Sequence, residues 1–152
     1  MKKIIFTLVL IIGASCAYSQ NIPEESVPSP VKDNLYANYK ANNVIWELEN
    51  EVYEAEYLEN GMEKSIHLNA TGDIIAVETH IDPHNLPEGS LTYINDNYPG
   101  SSINEAEYIE IHSGNFYGVE LTHNGTNIEL LFDERGNFMQ RNDPDDNGED
   151  ED

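Results

Sequence analysis

Glutamates alternate with apolar residues in two parts of the chain, a pattern typical of β-strands with one polar face. Successive side chains of a strand point to opposite faces, so the apolar positions predict a core and the glutamates an outward face. The predicted core residues are Trp46, Leu48, Tyr53, Ala55 and Tyr57, and the predicted outward residues are Glu47, Glu49, Glu54, Glu56, Glu120 and Glu129. Carboxylates directly opposite one another repel, so such a face would recruit a cation or a basic protein patch. The alternative is a solvated face that binds nothing.

A second group of carboxylates lies in the acidic segment 142–152. Asp143, Asp145 and Asn147 match the opening of a calcium loop, in which alternating oxygens and a following glycine wrap the cation. The sequence reaches Asp152, short of the twelfth loop position, where such a loop needs a bidentate glutamate. A disordered acidic tail is therefore the main expectation for 142–152. Calcium binding through the tail or the outward face is the alternative function.

Histidines are the remaining candidates for chemistry. His80, Asp82 and His84 alternate and would share one side of an extended strand, where they could bind zinc. Pro83 and the following Leu86-Pro87 favour a solvated linker there instead. His67, His112 and His123 are scattered and lack a serine or cysteine partner at a catalytic spacing.

No known catalytic motif occurs in the sequence. The sequence contains neither the nucleophile elbow nor the zinc-protease motif, and neither the phosphate-binding loop nor the dinucleotide fingerprint. Carboxylate pairs are so frequent that none can be singled out for acid–base work. We therefore predict that the protein is not an enzyme, takes no small-molecule substrate and needs no cofactor, with Ca²⁺ as the alternative.

Residues 1–19 have the pattern of a secretion signal. Lys2 and Lys3 precede an apolar run, and small residues at Ala17 and Ser19 fit cleavage after Ser19. The run is too short to span a membrane, so a periplasmic or secreted protein is expected. The alternative is a lipoprotein anchored at Cys16, the only cysteine, although Gly13 stands where lipidation motifs prefer a branched apolar residue.

The charge balance narrows the choice of partners. The chain has 29 acidic and 7 basic residues, for a formal net charge of −22. Such a surface repels nucleic acid and anionic membranes and attracts cations and basic proteins. An envelope or secreted protein is therefore the expected partner.

Two similar segments supply the elements that must position these residues. Each has a helix pattern with apolar residues three or four apart, followed by strands joined by tight turns. The helices are predicted from Ser29-Pro30 and from Leu86-Pro87, and the hairpin turns at Asn60-Gly61 and Asn124-Gly125. The predicted organisation is an arm at 20–28, repeat 1 at 29–81, repeat 2 at 86–141 and the tail at 142–152.

The match between the two segments predicts a tandem duplication. Leu35 aligns with Ile94, Tyr39 aligns with Tyr98, and Gly61 aligns with Gly125. Because helices and strands are segregated, the predicted class is α+β. Two units would join into one curved antiparallel sheet with both helices on one face, since a single unit would be marginal alone.

Three stretches carry a family resemblance: the helix ending in Tyr98-Pro99, YEAEYLENG and LLFDERGNF. Together they resemble the PepSY-like, β-lactamase-inhibitor-protein-like domains of secreted bacterial proteins, common in Bacteroidetes. The resemblance covers residues 27–141 and implies export and a curved sheet with an open face. Better-known relatives of that shape inhibit proteins by docking the open face on an enzyme. We therefore expect a non-enzymatic module that docks a protein partner through its acidic face.

Overall fold

The computed structural model describes residues 20–142, which form a nine-stranded sheet, two α-helices and two 3-10 turns. The predicted signal at 1–19 and the candidate calcium ligands Asp143, Asp145 and Asn147 lie outside the described residues. The helices are α1 (Ser29–Asn38) and α2 (Glu88–Asn97), preceded by 3-10 turns at Glu24–Ser26 and Pro83–Asn85. The strands are β1 (Gln20–Ile22), β2 (Ile45–Glu49), β3 (Val52–Glu59), β4 (Met62–Leu68), β5 (Ile74–His80), β6 (Ser102–Ile111), β7 (Gly114–His123), β8 (Thr126–Asp133) and β9 (Phe138–Asn142).

A proline precedes each helix, and the spacing of apolar residues determines which side of the helix is buried. Pro28 and Pro87 precede α1 and α2, where the missing N–H costs nothing because the first turn has no acceptor for it. Val31 and Leu35 lie four residues apart in α1 and are fully buried. The predicted cap at Ser29 is wrong by one residue, because Ser29 is already helical and no side chain caps the helix.

Every pair of neighbouring strands is antiparallel, and the strands lie in chain order from β1 to β9. The turns Asn60-Gly61 and Asn124-Gly125 have positive φ at both residues, as a two-residue hairpin of this twist requires. The predicted α+β class and the antiparallel sheet are confirmed. The segment 20–28 contains β1 and a 3-10 turn, and β9 ends at Asn142, where the tail was predicted to begin.

The strand register separates the sheet into two faces. One row of directly opposed residues crosses from β3 to β9: Tyr57, Lys64, Thr79, Tyr108, Tyr117, Phe132 and Phe138. Because opposed side chains share a face, Tyr57 and Phe132 point to the same side of the sheet. We call this side the core face, since the buried apolar clusters lie on it.

Two clusters fill the core face. The first joins Val27, Val31 and Leu35 to Trp46, Ala55, Tyr57, Ile66, Leu68 and Val77. The second joins Leu86, Ile94 and Tyr98 to Ala106, Val119, Leu121, Ile128, Leu130 and Phe132. The predicted core residues Trp46, Ala55 and Tyr57 are therefore buried, and Tyr53 packs against the first cluster. Burial of these side chains is what orients the alternating glutamates to the opposite face.

Two tight turns bring the sheet close to the helices. In one, Asn69 Oδ1 accepts hydrogen bonds from the backbone N–H of Asp73 at 2.9 Å and of Thr71 at 3.0 Å. In the other, Asp133 Oδ1 accepts from Asn137 at 2.8 Å and from Arg135 at 2.9 Å. Asn69 and Asp133 thus organise their turns in the same way. The hydrogen bonds within each turn therefore account for the polar side chain at Asn69 and at Asp133.

Candidate functional site

The face opposite the two clusters is acidic. By register it carries Glu47, Glu49, Glu54, Glu56, Glu63, Glu78, Glu105, Glu107, Glu120, Glu129 and Asp133. We call it the acidic face. Within the strands β2 to β9, the residues that the register assigns to this face include no lysine or arginine. The six glutamates predicted to face away from the core all lie on it.

The solvent contact of these six glutamates differs along the sheet. On β2 and β3, near one end of the sheet, the side chains of Glu47, Glu49 and Glu56 are partly exposed to solvent. Glu120 and Glu129 lie on β7 and β8 and are only 4% and 6% exposed. The alternative of an ordinary solvated face therefore does not hold for Glu120 and Glu129.

Three glutamates lie directly opposite one another on β6, β7 and β8. Glu105 pairs with Glu120, and Glu120 pairs with Glu129, so like charges occupy adjacent positions on one face. Such pairs each destabilise a sheet by about 0.2–1 kcal/mol. One amide partly relieves the row, because Asn104 Nδ2 donates to Glu120 Oε1 at 3.0 Å. Asn104 is placed there by a β-bulge between Ile103 and Glu105.

Burial and crowding alter the protonation of this face. Desolvation, and then the charges of Glu78 and Glu105, raise the pKa of Glu107 to about 9. Desolvation, and then the charge of Glu120, raise the pKa of Glu129 to about 7. The pKa values of Glu54 and Glu105 are raised as well, again chiefly by desolvation. Part of the acidic face therefore holds protons at neutral pH.

Two histidines lie within ion-pair distance of carboxylates on this face. His67 Nε2 lies 3.3 Å from Glu78 Oε2, and His80 Nδ1 lies 3.4 Å from Glu105 Oε1. Burial alone would lower the pKa of His67, but the nearby Glu78, Glu54 and Glu49 raise it overall. The second oxygen of Glu78, Oε1, and Oε2 of Glu107 are buried and have no hydrogen-bond partner among the described residues.

Several residues of this environment were not among the sequence-predicted site residues. Glu78, Glu105 and Glu107 on β5 and β6 complete the face, and His67 pairs with one of them. Alternation of Glu105 and Glu107 with Ala106 and Tyr108 is a signal that could have identified two of them. The bulge at Asn104 obscures that signal, because it shifts the alternation relative to the start of the strand.

The candidate zinc residues separate in the structure. His80 ends β5 on the acidic face, whereas Asp82 and His84 lie in an exposed turn where Asp82 Oδ1 accepts from the His84 backbone N–H at 2.9 Å. The linker interpretation therefore fits Asp82 and His84 and is wrong for His80. Across residues 20–142, no group of three or more histidine, cysteine, aspartate or glutamate side chains is arranged to hold a metal ion.

The fold and this face define a class: α+β proteins with an open antiparallel sheet, one side packed in the core and the other presenting side chains across many strands. The chain belongs to the family described as "Putative beta-lactamase-inhibitor-like, PepSY-like", whose model matches residues 15–76 and 51–140. The predicted family resemblance is confirmed. No match was found among curated proteins.

Solved structures from Bacteroides share this fold. A BLIP-like protein from Bacteroides fragilis is 25% identical, with a TM-score of 0.66, covering 82% of this chain and 92% of its own. A DUF2874 family protein from Bacteroides uniformis is 18% identical, with a TM-score of 0.70, covering 76% and 88%. A Bacteroides eggerthii structure described as "putative periplasmic proteins" is 12% identical, with a TM-score of 0.71, covering 77% and 88%. Within residues 20–142, no helix is long and apolar enough to cross a membrane.

Proposed function

We propose that the protein is an exported, non-enzymatic module that docks a protein partner through its acidic face. The observation that carries this proposal is the row Glu105, Glu120 and Glu129, where like charges are set side by side on adjacent strands. A sheet gains nothing in stability from that arrangement. A partner that neutralises the row would regain the lost free energy on binding.

The shape of the sheet supports the same proposal. One face is committed to the two apolar clusters, and the other spans β2 to β9 with mainly polar side chains, the exposed Ile45 and Leu58, and the buried Ala76 and Ile109. Specific protein interfaces cover about 800 Å² per partner, an area that a face of this many strands can supply. Kinship with beta-lactamase-inhibitor-like and periplasmic proteins is consistent with export and protein binding.

We also infer that the chain arose by tandem duplication, with both helices on the core face. The order of elements supports this, since a strand, a 3-10 turn, a helix and three strands occur twice, followed by β9. Duplication would explain why the two halves present equivalent strands to the partner. Glu56 of β3 then corresponds to Glu120 of β7, since each lies four residues before the asparagine of an Asn-Gly turn.

Site-specific photo-cross-linking tests the docking face. A photoreactive phenylalanine replaces Leu58, which is 66% exposed on the acidic face, and in a matched control it replaces Tyr36, which is 44% exposed on α1. In envelope extract of the native host, we expect one product from position 58. It should be competed by excess unmodified protein, be absent from position 36 and be reduced when Glu120 and Glu129 are both changed to glutamine.

Equal capture from both positions would contradict docking through the acidic face. So would a product that persists undiminished in the Glu120→Gln, Glu129→Gln background. Competition by unmodified protein matters here, because a protein with 29 acidic residues will collect basic proteins without specificity at low salt.

A further inference from the structure

The centre of the acidic face holds carboxylate oxygens that lack partners. Glu78 is 3% exposed, and its Oε1 has no hydrogen-bond partner among the described residues. Glu107 Oε2 on the neighbouring strand is also buried and has no hydrogen-bond partner among the described residues. Because a buried oxygen without a partner costs about 1–3 kcal/mol, these atoms mark a place where a hydrogen-bonding partner is missing.

Glu78 and Glu107 are close enough to act together. Glu78 pairs with Ile109, and His80 pairs with Glu107, so the two glutamates are diagonal neighbours on β5 and β6. Diagonal neighbours lie about 7–8 Å apart, within reach of one another's side chains. A guanidinium or ammonium group placed between them would donate to both carboxylates.

The donors already present do not meet this need. His67 approaches the other oxygen of Glu78, and His80 approaches Glu105, which leaves Glu107 outside both pairs. A metal ion is a poor fit, because residues 20–142 bring no three suitable ligands together. The geometry therefore favours an extended cationic side chain over a compact ion.

An apolar area lies at one end of the same face. Ile45 and Leu58 are 47% and 66% exposed, and Ile45 is directly opposite Glu56. At the corresponding positions of the second half, Asn104 and Thr122 replace them and form a hydrogen bond of 2.8 Å. The second half therefore lacks an apolar area at this place on the face.

The distance from this area to the central glutamates sets a spacing in the partner. Leu58 is on β3 and Glu107 is on β6, three strand intervals away. At about 4.8 Å per interval this is about 14 Å, the length of about four extended residues.

Building on the proposed docking function, we propose that the acidic face binds a polypeptide segment with an apolar side chain at Ile45 and Leu58 and, about four residues away, an arginine or lysine between Glu78 and Glu107. The cationic group supplies the missing donors. Binding also draws protons off the face, because a nearby positive charge favours ionised carboxylates, and the pKa of Glu107 is raised to about 9 before binding. Other titratable groups face this position from the neighbouring strands: His67, His80, Glu54, Glu63, Glu105, Glu120 and Glu129.

Calorimetry with a synthetic probe tests the inference. The probe is the acetylated, amidated heptapeptide Leu-Gly-Ser-Gly-Arg-Gly-Arg, and its control carries neutral citrulline at both arginine positions. We expect the arginine peptide alone to bind, with affinity falling as salt rises. Titrations at pH 7.5 in two buffers of different ionisation enthalpy should show protons released on binding.

Two isosteric variants locate the cationic contact. Glu78→Gln and Glu107→Gln should each weaken binding by about tenfold or more, whereas Glu110→Gln, an exposed residue of β6 on the core face, should not. Glutamine retains the shape of the side chain, and circular dichroism melts verify that each variant is folded.

Three results would overturn the inference: no binding at low salt, equal binding of the citrulline peptide, or binding unaffected by either variant, which would place the peptide elsewhere, the acidic tail included. Binding without proton release would also overturn the proposed insertion beside Glu107. The cross-linking experiment does not depend on the probe. Position-58 capture together with a failed probe would remove only the partner chemistry, and failure of capture would remove the docking function.

Discussion

Replacing Glu129 by glutamine should stabilise the protein, and more so at alkaline pH. The carboxyl group has a pKa raised from 4.5 to about 7, first by desolvation and then by the charge of Glu120 directly opposite. A group whose pKa is raised by folding is protonated more readily in the folded state. Its destabilising effect is therefore absent well below pH 4.5 and complete only above about pH 7.

The size of the effect follows from the shift. At about 1.36 kcal/mol per unit, moving from 4.5 to about 7 corresponds to roughly 3 kcal/mol. Water and neighbouring side chains can adjust around a carboxylate on a sheet face, so we expect about 1–2 kcal/mol to be observed. Glutamine keeps the shape and the hydrogen bond to Asn142 while removing the charge.

Urea denaturation at pH 5 and pH 8 measures this effect. Glu129→Gln should exceed the wild type in free energy of unfolding by about 1–2 kcal/mol at pH 8 and by well under about 1 kcal/mol at pH 5. Glu110→Gln, on the opposite face of β6, should change little at either pH. A Glu129→Gln protein that gains the same amount at both pH values, or loses stability at pH 8, would refute the electrostatic description of the acidic face.

Three further predictions concern the turns, the apolar area and calcium. Gly72→Ala should destabilise by more than about 2 kcal/mol, because its Cβ would lie 2.4 Å from the Pro30 carbonyl oxygen at φ +88°, whereas Gly61→Ala, at φ +85° in open space, should cost only about 1 kcal/mol; urea denaturation of both compares clash with backbone strain alone, and equal losses would contradict it. Replacing Ile45 and Leu58 together by serine should leave the midpoint of thermal unfolding within a few degrees and yet weaken binding of the arginine heptapeptide in calorimetry, so an unfolded variant or undiminished binding would argue against an exposed contact area. A chain ending at Asn142 should melt at the same temperature with millimolar calcium or with chelator, because residues 20–142 bring no metal-holding group together. Calcium bound at 100 times its dissociation constant would add about 2.7 kcal/mol, so a calcium-dependent rise in the melting temperature of this shortened chain would contradict that interpretation.

The fold was largely predictable because its signals are local. Apolar residues four apart mark Val31 and Leu35, and an Asn-Gly pair marks the β3–β4 and β7–β8 hairpins with little competition from other conformations. Alternation then assigns each strand residue to a face. These rules depend only on near neighbours in the chain, so a single sequence carries them.

The site was less predictable because it depends on register between distant strands. The sequence indicates that Glu120 and Glu129 face away from the core, but their direct opposition follows from the β7–β8 pairing. The bulge at Asn104 hides the place of Glu105 and Glu107. Desolvation, and then charges on β5, β6 and β3, raise the pKa of Glu107, and no local pattern in the sequence reveals that combination.

The most direct test of the central claim is an NMR titration of the isotope-labelled protein with the arginine heptapeptide. Our account predicts that the largest saturable shifts fall on the acidic face, at residues such as Glu78, Glu107 and Leu58, and that they weaken in Glu107→Gln. Shifts confined to the helices or to residues 143–152, with the acidic face unchanged, would contradict it.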